Sequence, residues 1–164
     1  MTRLASTVPN AKQYEDWNNA TGRRWLERHE AVDRQIAPFG RQAMDRADIR
    51  PGQRVLDVGC GCGETTVELA RRVGDSGFVT GIDISLLLIE TARELARKSR
   101  VGNVRFEAAD AQTFGFPAPN FDLFFSRFSS PASGSCSSMS VREPARGASA
   151  EWPVDFRLLA CTPR

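Results

Sequence analysis

Lysine, histidine and tyrosine are almost missing from this chain: lysine occurs only at Lys12 and Lys98, histidine only at His29 and tyrosine only at Tyr14. Arginine supplies the rest of the positive charge, a bias that points to a GC-rich coding sequence. Lys and Arg total 22 against 20 Asp and Glu, for a formal net charge of +2, and the two signs are interspersed. That balance excludes the basic stripe expected of a protein whose main partner is nucleic acid or an anionic membrane. Long apolar runs are absent too: no segment approaches the roughly 20 residues that span a bilayer. The opening residues MTRLASTVPNAKQ hold no apolar stretch of the signal-peptide kind. The expected compartment is the cytoplasm. Four cysteines, Cys60, Cys62, Cys136 and Cys161, lack the spacing of a disulfide framework or of paired zinc ligands, and read as reduced thiols.

What remains is an ordinary globular composition, 41% hydrophobic and 26% charged over 164 residues. That length carries one domain with a real core and is too short for two of ordinary size. Residues 10 to 48 are rich in helix formers, with Trp25, Val32, Ile36, Met44 and Ile49 at roughly helical intervals. Two or three helices are expected there, broken near Thr21-Gly22 and around Pro38-Gly40. The pattern then alternates. Strands are expected over 54–58 (RVLDV), 78–82 (FVTGI), 103–108 (NVRFEA) and 121–126 (FDLFFS). Between the first three, helices are expected over 64–73, with Val67, Leu69, Ala70 and Val73 inward, and over 86–99, N-capped by Ser85 and buried through Leu88, Ile89, Ala92, Leu95 and Ala96. No internal repeat interrupts the series. Strands alternating with helices imply parallel pairing through right-handed crossovers, hence an α/β fold with a Rossmann-like doubly wound sheet of about four parallel strands.

The informative motif is VLDVGCGCGETT, residues 55–66, at a strand-to-helix junction. Gly59, Gly61 and Gly63 let the backbone turn off the strand and let a ligand approach the main chain. The dinucleotide fingerprint G-x-G-x-x-G would need glycine at position 64, where this chain has Glu64. Asp57, two residues before the first glycine, would repel a pyrophosphate and suits a ligand carrying an ammonium group. S-adenosylmethionine, with its cationic amine and sulfonium, meets that requirement better than NAD. The second strand runs into Asp83, placed to accept hydrogen bonds from both hydroxyls of a ribose. The third runs into Asp110-Ala111, where the carboxylate could accept from an adenine amino group and the Ala111 N–H could meet the ring.

On these segments the chain resembles the class I S-adenosylmethionine-dependent methyltransferases, most closely the small-molecule type of quinone biosynthesis. The likeness runs from about residue 10 to residue 128 and rests on VLDVGCGCGETT, VTGIDIS, VRFEAADAQ and FDLFFSRF; YEDWNNATGRRW looks like the family's N-terminal helical cap. The resemblance implies that Asp57, Gly59, Gly61 and Gly63 bind the methionyl part, Asp83 and Ile84 the ribose and adenine, and Asp110 and Ala111 the adenine edge, with Ser126 facing the cofactor. It implies methyl transfer to a small-molecule acceptor and names no catalytic base, no metal and no oligomeric state. Three parts are expected: a helical cap over 1–50, the cofactor-binding half over 51–128 and a divergent, disordered tail over 129–164.

That tail has eight serines and four prolines in 36 residues, and only 156–160 (FRLLA) reads as a strand. The family's usual continuation after SRF is missing, as if the chain were a truncated or frameshifted copy. The fourth strand is then expected to be an exposed edge presenting Phe121, Leu123 and Phe125, with activity lost. A non-catalytic cofactor-binding fragment is the alternative function, and an NAD-dependent oxidoreductase a more distant one.

Other residues have competing readings. Cys60 and Cys62 fit small loop residues better than metal ligands. His29, among Glu27, Arg28 and Glu30, reads as a solvated helix residue rather than a catalytic one. Trp17 and Tyr14 either fold over the cofactor as a lid or pack a helix against the sheet. Leu86-Leu87-Leu88 reads as core or helix interface. Arg127 reads as an exposed post-strand arginine, with contact to an acidic substrate as the alternative.

Overall fold

In the computed structural model, residues 10–111, 113–114, 121–127 and 139–142 are described, the last four by their backbone. They form α1 (Ala11–Asn18), α2 (Ala20–Arg46), β1 (Arg54–Val58), α3 (Glu64–Val73), β2 (Phe78–Asp83), α4 (Leu86–Lys98), β3 (Val104–Ala108), β4 (Leu123–Ser126) and β5 (Met139–Arg142).

One sheet has the order β3-β2-β1-β4-β5. The pairs β1·β2, β2·β3 and β1·β4 are parallel, so four strands share one direction. Stepping from β1 to β2 to β3 through right-handed crossovers carries α3 and α4 along one side of the sheet. The chain then returns past β1 to add β4, which puts the reversal of strand order between β1 and β4. In open α/β sheets, ligands bind in the crevice at the carboxyl ends of the strands beside such a reversal.

Within the sheet half the expected periodicities hold. Val67, Leu69, Ala70 and Val73 of α3 are buried, as are Leu88, Ile89, Ala92 and Ala96 of α4. Ser85 caps α4, its hydroxyl oxygen accepting from Leu88 N. Of the three leucines that open α4, Leu88 is buried and Leu86 is exposed. The strand expected from 103 begins one residue later. Asn103 caps α3 instead, its side-chain amide donating to the carbonyls of Ala70 (3.0 Å) and Gly74 (2.9 Å), which also accept from Gly74 N and Gly77 N. Likewise β4 begins at Leu123, because Asp122 clasps β1: its N–H donates to Arg54 O and its carboxylate accepts from Arg54 N.

The N-terminal helices differ from expectation. The break falls at Asn19 (φ −122°, ψ −127°), and Gly22 lies buried inside α2. Gly22 permits a close approach: a Cβ there would come within 1.9 Å of the Trp17 carbonyl oxygen. No break occurs at Pro38-Gly40, and α2 runs through Pro38 for 27 residues. The hydrogen bond that a proline cannot make is outweighed by burial of the following turns, since Met44 and Ala47 join Val55, Leu69, Ala70, Val73, Val79, Leu123 and Phe125 in one apolar cluster. A second cluster gathers Cys60, Val67, Ile89, Ala92, Ala96 and Phe106.

The exposed edge is also corrected. β5 pairs antiparallel with β4, from Leu123 opposite Arg142 to Ser126 opposite Met139. Leu123 and Phe125 are each 1% exposed, because one sheet face meets the α2 and α3 cluster while the ladder continues into β5. The segment expected as a disordered tail therefore contributes a strand at 139–142, where alternation is too brief to stand out from serine-rich surroundings. The strand expected over 156–160 and the rest of the tail lie outside the described residues.

Candidate functional site

Each parallel strand carries its expected polar residue to the same edge of the sheet. In the β1·β2 ladder Asp57 stands opposite Gly81 and Val58 opposite Ile82, while Asp83 stands opposite Ala108 of β3. Asp57, the glycine loop, Asp83, Ile84, Asp110, Ala111 and Ser126 thus all fall at the carboxyl ends of β1 to β4.

The loop is fastened there by its own backbone. Gly59 N and Cys60 N both donate to Ile82 O, at 2.9 and 3.0 Å. Gly61 N donates to Asp83 Oδ2 at 3.0 Å, and Ser85 N donates to Asp83 Oδ1 at 2.9 Å. One carboxylate therefore ties the β1–α3 loop to the β2–α4 turn and still has lone pairs to offer. Burial raises the Asp83 pKa, against the three backbone N–H groups of Ser85, Gly61 and Ile84 that lower it. The glycines divide their work. Gly61 (φ +55°) has open space where a side chain would be, and Gly63 (φ +90°) is closed, a Cβ there meeting Ala92 Cβ at 2.8 Å. The first leaves room for a ligand against the main chain; the second lets α3 pack on α4.

Asp57 occupies a different position from an exposed ligand carboxylate. It is 1% exposed, beneath the loop, and accepts a 2.7 Å hydrogen bond from Thr66 Oγ1 on α3. Burial pushes its pKa up to about 7, with Thr66 and the Arg127 charge pulling it down and Asp83 adding to the rise. Thr66 was not singled out from the sequence. Its signal was a polar residue, fully buried with Thr65, on the inward face of an amphipathic helix.

The β3 end is met by α1. Asn10 Nδ2 lies 3.0 Å from both Asp110 Oδ1 and Asp110 Oδ2. At the other end of α1, Asn18 donates to Ile84 O (3.0 Å) and accepts from Leu86 N (2.8 Å), and Ser85 Oγ donates to Trp17 O (2.8 Å). The helix thus straddles the β2 and β3 ends as a strap. Trp17 packs edge-on against Trp25 with ring centroids 6.1 Å apart, and Tyr14 is 55% exposed. Asn10 and Asn18 escaped the sequence reading because asparagines beside helix ends are ordinary capping residues.

On the β1–β4 side, two residues read as solvated are held. Arg127 Nη2 pairs with Asp33 Oδ1 of α2 at 2.7 Å, the side chains 13% and 21% exposed. His29 lies with Nδ1 2.7 Å from Leu26 O and Nε2 3.7 Å from Glu64 Oε1. The long α2 helix, laid over the α3 N-terminus, removes both from water. Burial raises the Glu64 carboxyl, a nearby Asp33 adding to it and His29 and Arg127 opposing. Cys60 and Cys62 are buried free thiols. Burial pushes Cys62 up to about 12 and Cys60 well above its ordinary value, with neighbouring carboxylates adding to both, so both are protonated at neutral pH. Among the described residues, no group of three or more His, Cys, Asp or Glu side chains could hold a metal ion, and no helix is long and apolar enough to cross a membrane. Ser126 is buried at the end of β4 and Ala111 half-buried beside Asp110.

Comparison with known proteins follows the same segments. A family model described as a methyltransferase domain matches residues 49–146. The aklanonic acid methyltransferase of Streptomyces sp. (strain C5) is 42% identical over 94 residues, 57% of this chain and 43% of the relative. A ubiquinone/menaquinone biosynthesis C-methyltransferase of Teredinibacter turnerae is 41% identical over 80 residues, 48% of this chain and 32% of the relative. The chain therefore spans less than half the length of these curated relatives. Among solved structures, a SAM-dependent methyltransferase from Aquifex aeolicus superposes with a TM-score of 0.50 at 26% identity, covering 53% of this chain and 46% of that one. Matched by the family model over more than half its length, with the glycine loop and all three acidic strand ends inside the match, the chain belongs to the methyltransferase-domain family.

Proposed function

We propose that this chain binds S-adenosylmethionine at the carboxyl edge of its sheet and serves methyl transfer to a small-molecule acceptor. The observation that carries the reading is the Asp83 carboxylate, fastened to Gly61 N and Ser85 N, with open space above Gly61. That arrangement fits the ligand: a preorganised acceptor for ribose hydroxyls beside main chain that a methionyl group can approach. The relatives support the same class, both named as methyltransferases of small molecules.

When bound, S-adenosylmethionine supplies a methyl group already activated by its sulfonium. The residues of the chain then have to bind, orient and exclude water. In this reading Asp83 and Ile84 hold the ribose and the adenine face, Asp110 and Ala111 hold the adenine edge, and Gly59, Gly61 and Gly63 shape the methionyl site. Asp57 acts from beneath, fixed by Thr66, and its ionised form favours the cationic end of the ligand. Ser126 closes the site at β4. Glu64 in place of a third dinucleotide-type glycine argues against NAD.

Isothermal titration with S-adenosylmethionine and S-adenosylhomocysteine tests the reading. Saturable binding of both with one site per chain is expected, and tighter binding of NADH would overturn it. Turnover is a separate proposal, since the chain spans 43% of the first relative's length. Release of S-adenosylhomocysteine on incubation with aklanonic acid or with acceptors of ubiquinone/menaquinone biosynthesis, the substrates that the relatives' names carry, distinguishes a catalyst from a domain that binds the cofactor without using it.

A further inference from the structure

Asn10 sits at the N-cap of α1, where an asparagine ordinarily turns its side chain back to accept from the helix's own first N–H groups. Here it makes no such cap, and its backbone is left-handed at φ 58°, ψ 16°. The side-chain amide is directed across to the end of β3, equidistant at 3.0 Å from the two oxygens of Asp110. A nitrogen equidistant from both oxygens lies on their bisector, in front of the carboxylate. An exocyclic amino group of adenine would approach along the same direction and make the same charge-assisted bonds.

We propose that Asn10 competes with the adenine amino group for Asp110, so that ligand entry requires the N-terminal end of the α1 strap to let go. This rests on the cofactor reading above and adds to it a residue that sets the affinity. The exchange is inexpensive for three reasons. Asn10 and Asp110 are both half-buried, so water already competes for the contact. The uncapped N–H groups of α1 offer the released Asn10 side chain a local partner. The far end of α1 stays fastened through Asn18 to Ile84 O and Leu86 N, leaving the helix to swing about Asn19.

Asn10→Gly tests it, because glycine keeps the left-handed backbone and removes the amide. Titration calorimetry with S-adenosylhomocysteine is expected to show binding roughly tenfold tighter in the variant, the fraction of chains with a free Asp110 having risen. Equal or weaker binding by Asn10→Gly overturns the competition while leaving the cofactor reading intact. Folded wild type and variant that both fail to bind would overturn both. An independent readout needs no variant protein beyond assignment. The Asn10 side-chain amide signal in a nitrogen-15 spectrum is expected to move on saturation with S-adenosylhomocysteine, and an unmoved signal also sinks the proposal.

Discussion

The hydroxyl of Thr66 donates to the carboxylate of Asp57 at 2.7 Å, joining the first turn of α3 to the end of β1 beneath the glycine loop. Both residues are buried, Thr66 at 0% and Asp57 at 1% exposure, so the bond has no water to replace it. Thr66→Val keeps the shape and removes the donor. Destabilisation of about 1–3 kcal/mol is expected from the unpaired acceptor, read as a lower urea midpoint at unchanged slope; an unchanged midpoint would refute the role given to this bond.

The same carboxyl makes stability depend on pH. Its pKa rises from 3.8 to about 7 on folding, chiefly through burial. Between those values the native state holds a proton that the unfolded chain has lost, so unfolding free energy falls as pH rises through that window. Asp83 and Glu64 shift in the same direction. Urea midpoints should therefore be higher at pH 5 than at pH 7.5, and Asp57→Asn should narrow the gap. A gap as wide in the variant as in the wild type would show that Asp57 is not its source.

Asp83→Ala removes the acceptor on which the cofactor reading depends and also unties Gly61 from the β2–α4 turn. S-adenosylhomocysteine affinity should drop by about 10- to 100-fold, as for loss of charge-assisted hydrogen bonds. Calorimetry that gave the wild-type affinity would move the ribose site elsewhere.

Gly63→Ala adds a methyl group 2.8 Å from Ala92 Cβ and 3.1 Å from Ala92 Cα, on a backbone at φ +90°. Strain and overpacking together should cost more than about 2 kcal/mol. Thermal unfolding by circular dichroism reads this directly, and a melting temperature within a degree of wild type would contradict the close α3–α4 packing.

Asp33→Ala removes the carboxylate that pairs with Arg127 Nη2 at 2.7 Å. A loss of about 1–3 kcal/mol is expected, partly restored by Asp33→Ala combined with Arg127→Met. If the double variant is no more stable than the single one, the pair is not what holds α2 against the end of β4.

The sheet half was legible because its signals are local. Strand 54–58 and helix 64–73 are short segments whose apolar period, glycine punctuation and capping residues lie within the segments themselves, and the three acidic strand ends follow directly from that frame. The Pro38-Gly40 break was misread by the same local rule: a proline and a glycine mark a helix end unless burial of Met44 and Ala47 outweighs them, and burial depends on residues far along the chain. β5 was missed because four alternating residues carry almost no periodic signal until β4 offers an edge to pair with.

Sequence by itself determined the α/β class, the position of the glycine loop and the residues that the strand ends present, because backbone turns and hydrophobic periods are set by near neighbours. Tertiary structure alone decided what each polar group touches. Asp57 is buried against Thr66 rather than presented to solvent, Arg127 and His29 are drawn from water by α2, and Asn10 reaches Asp110 across 100 positions. Such pairings are fixed by how helices settle on the sheet, where burying a polar group requires a partner, and no spacing along the chain encodes which partner that is.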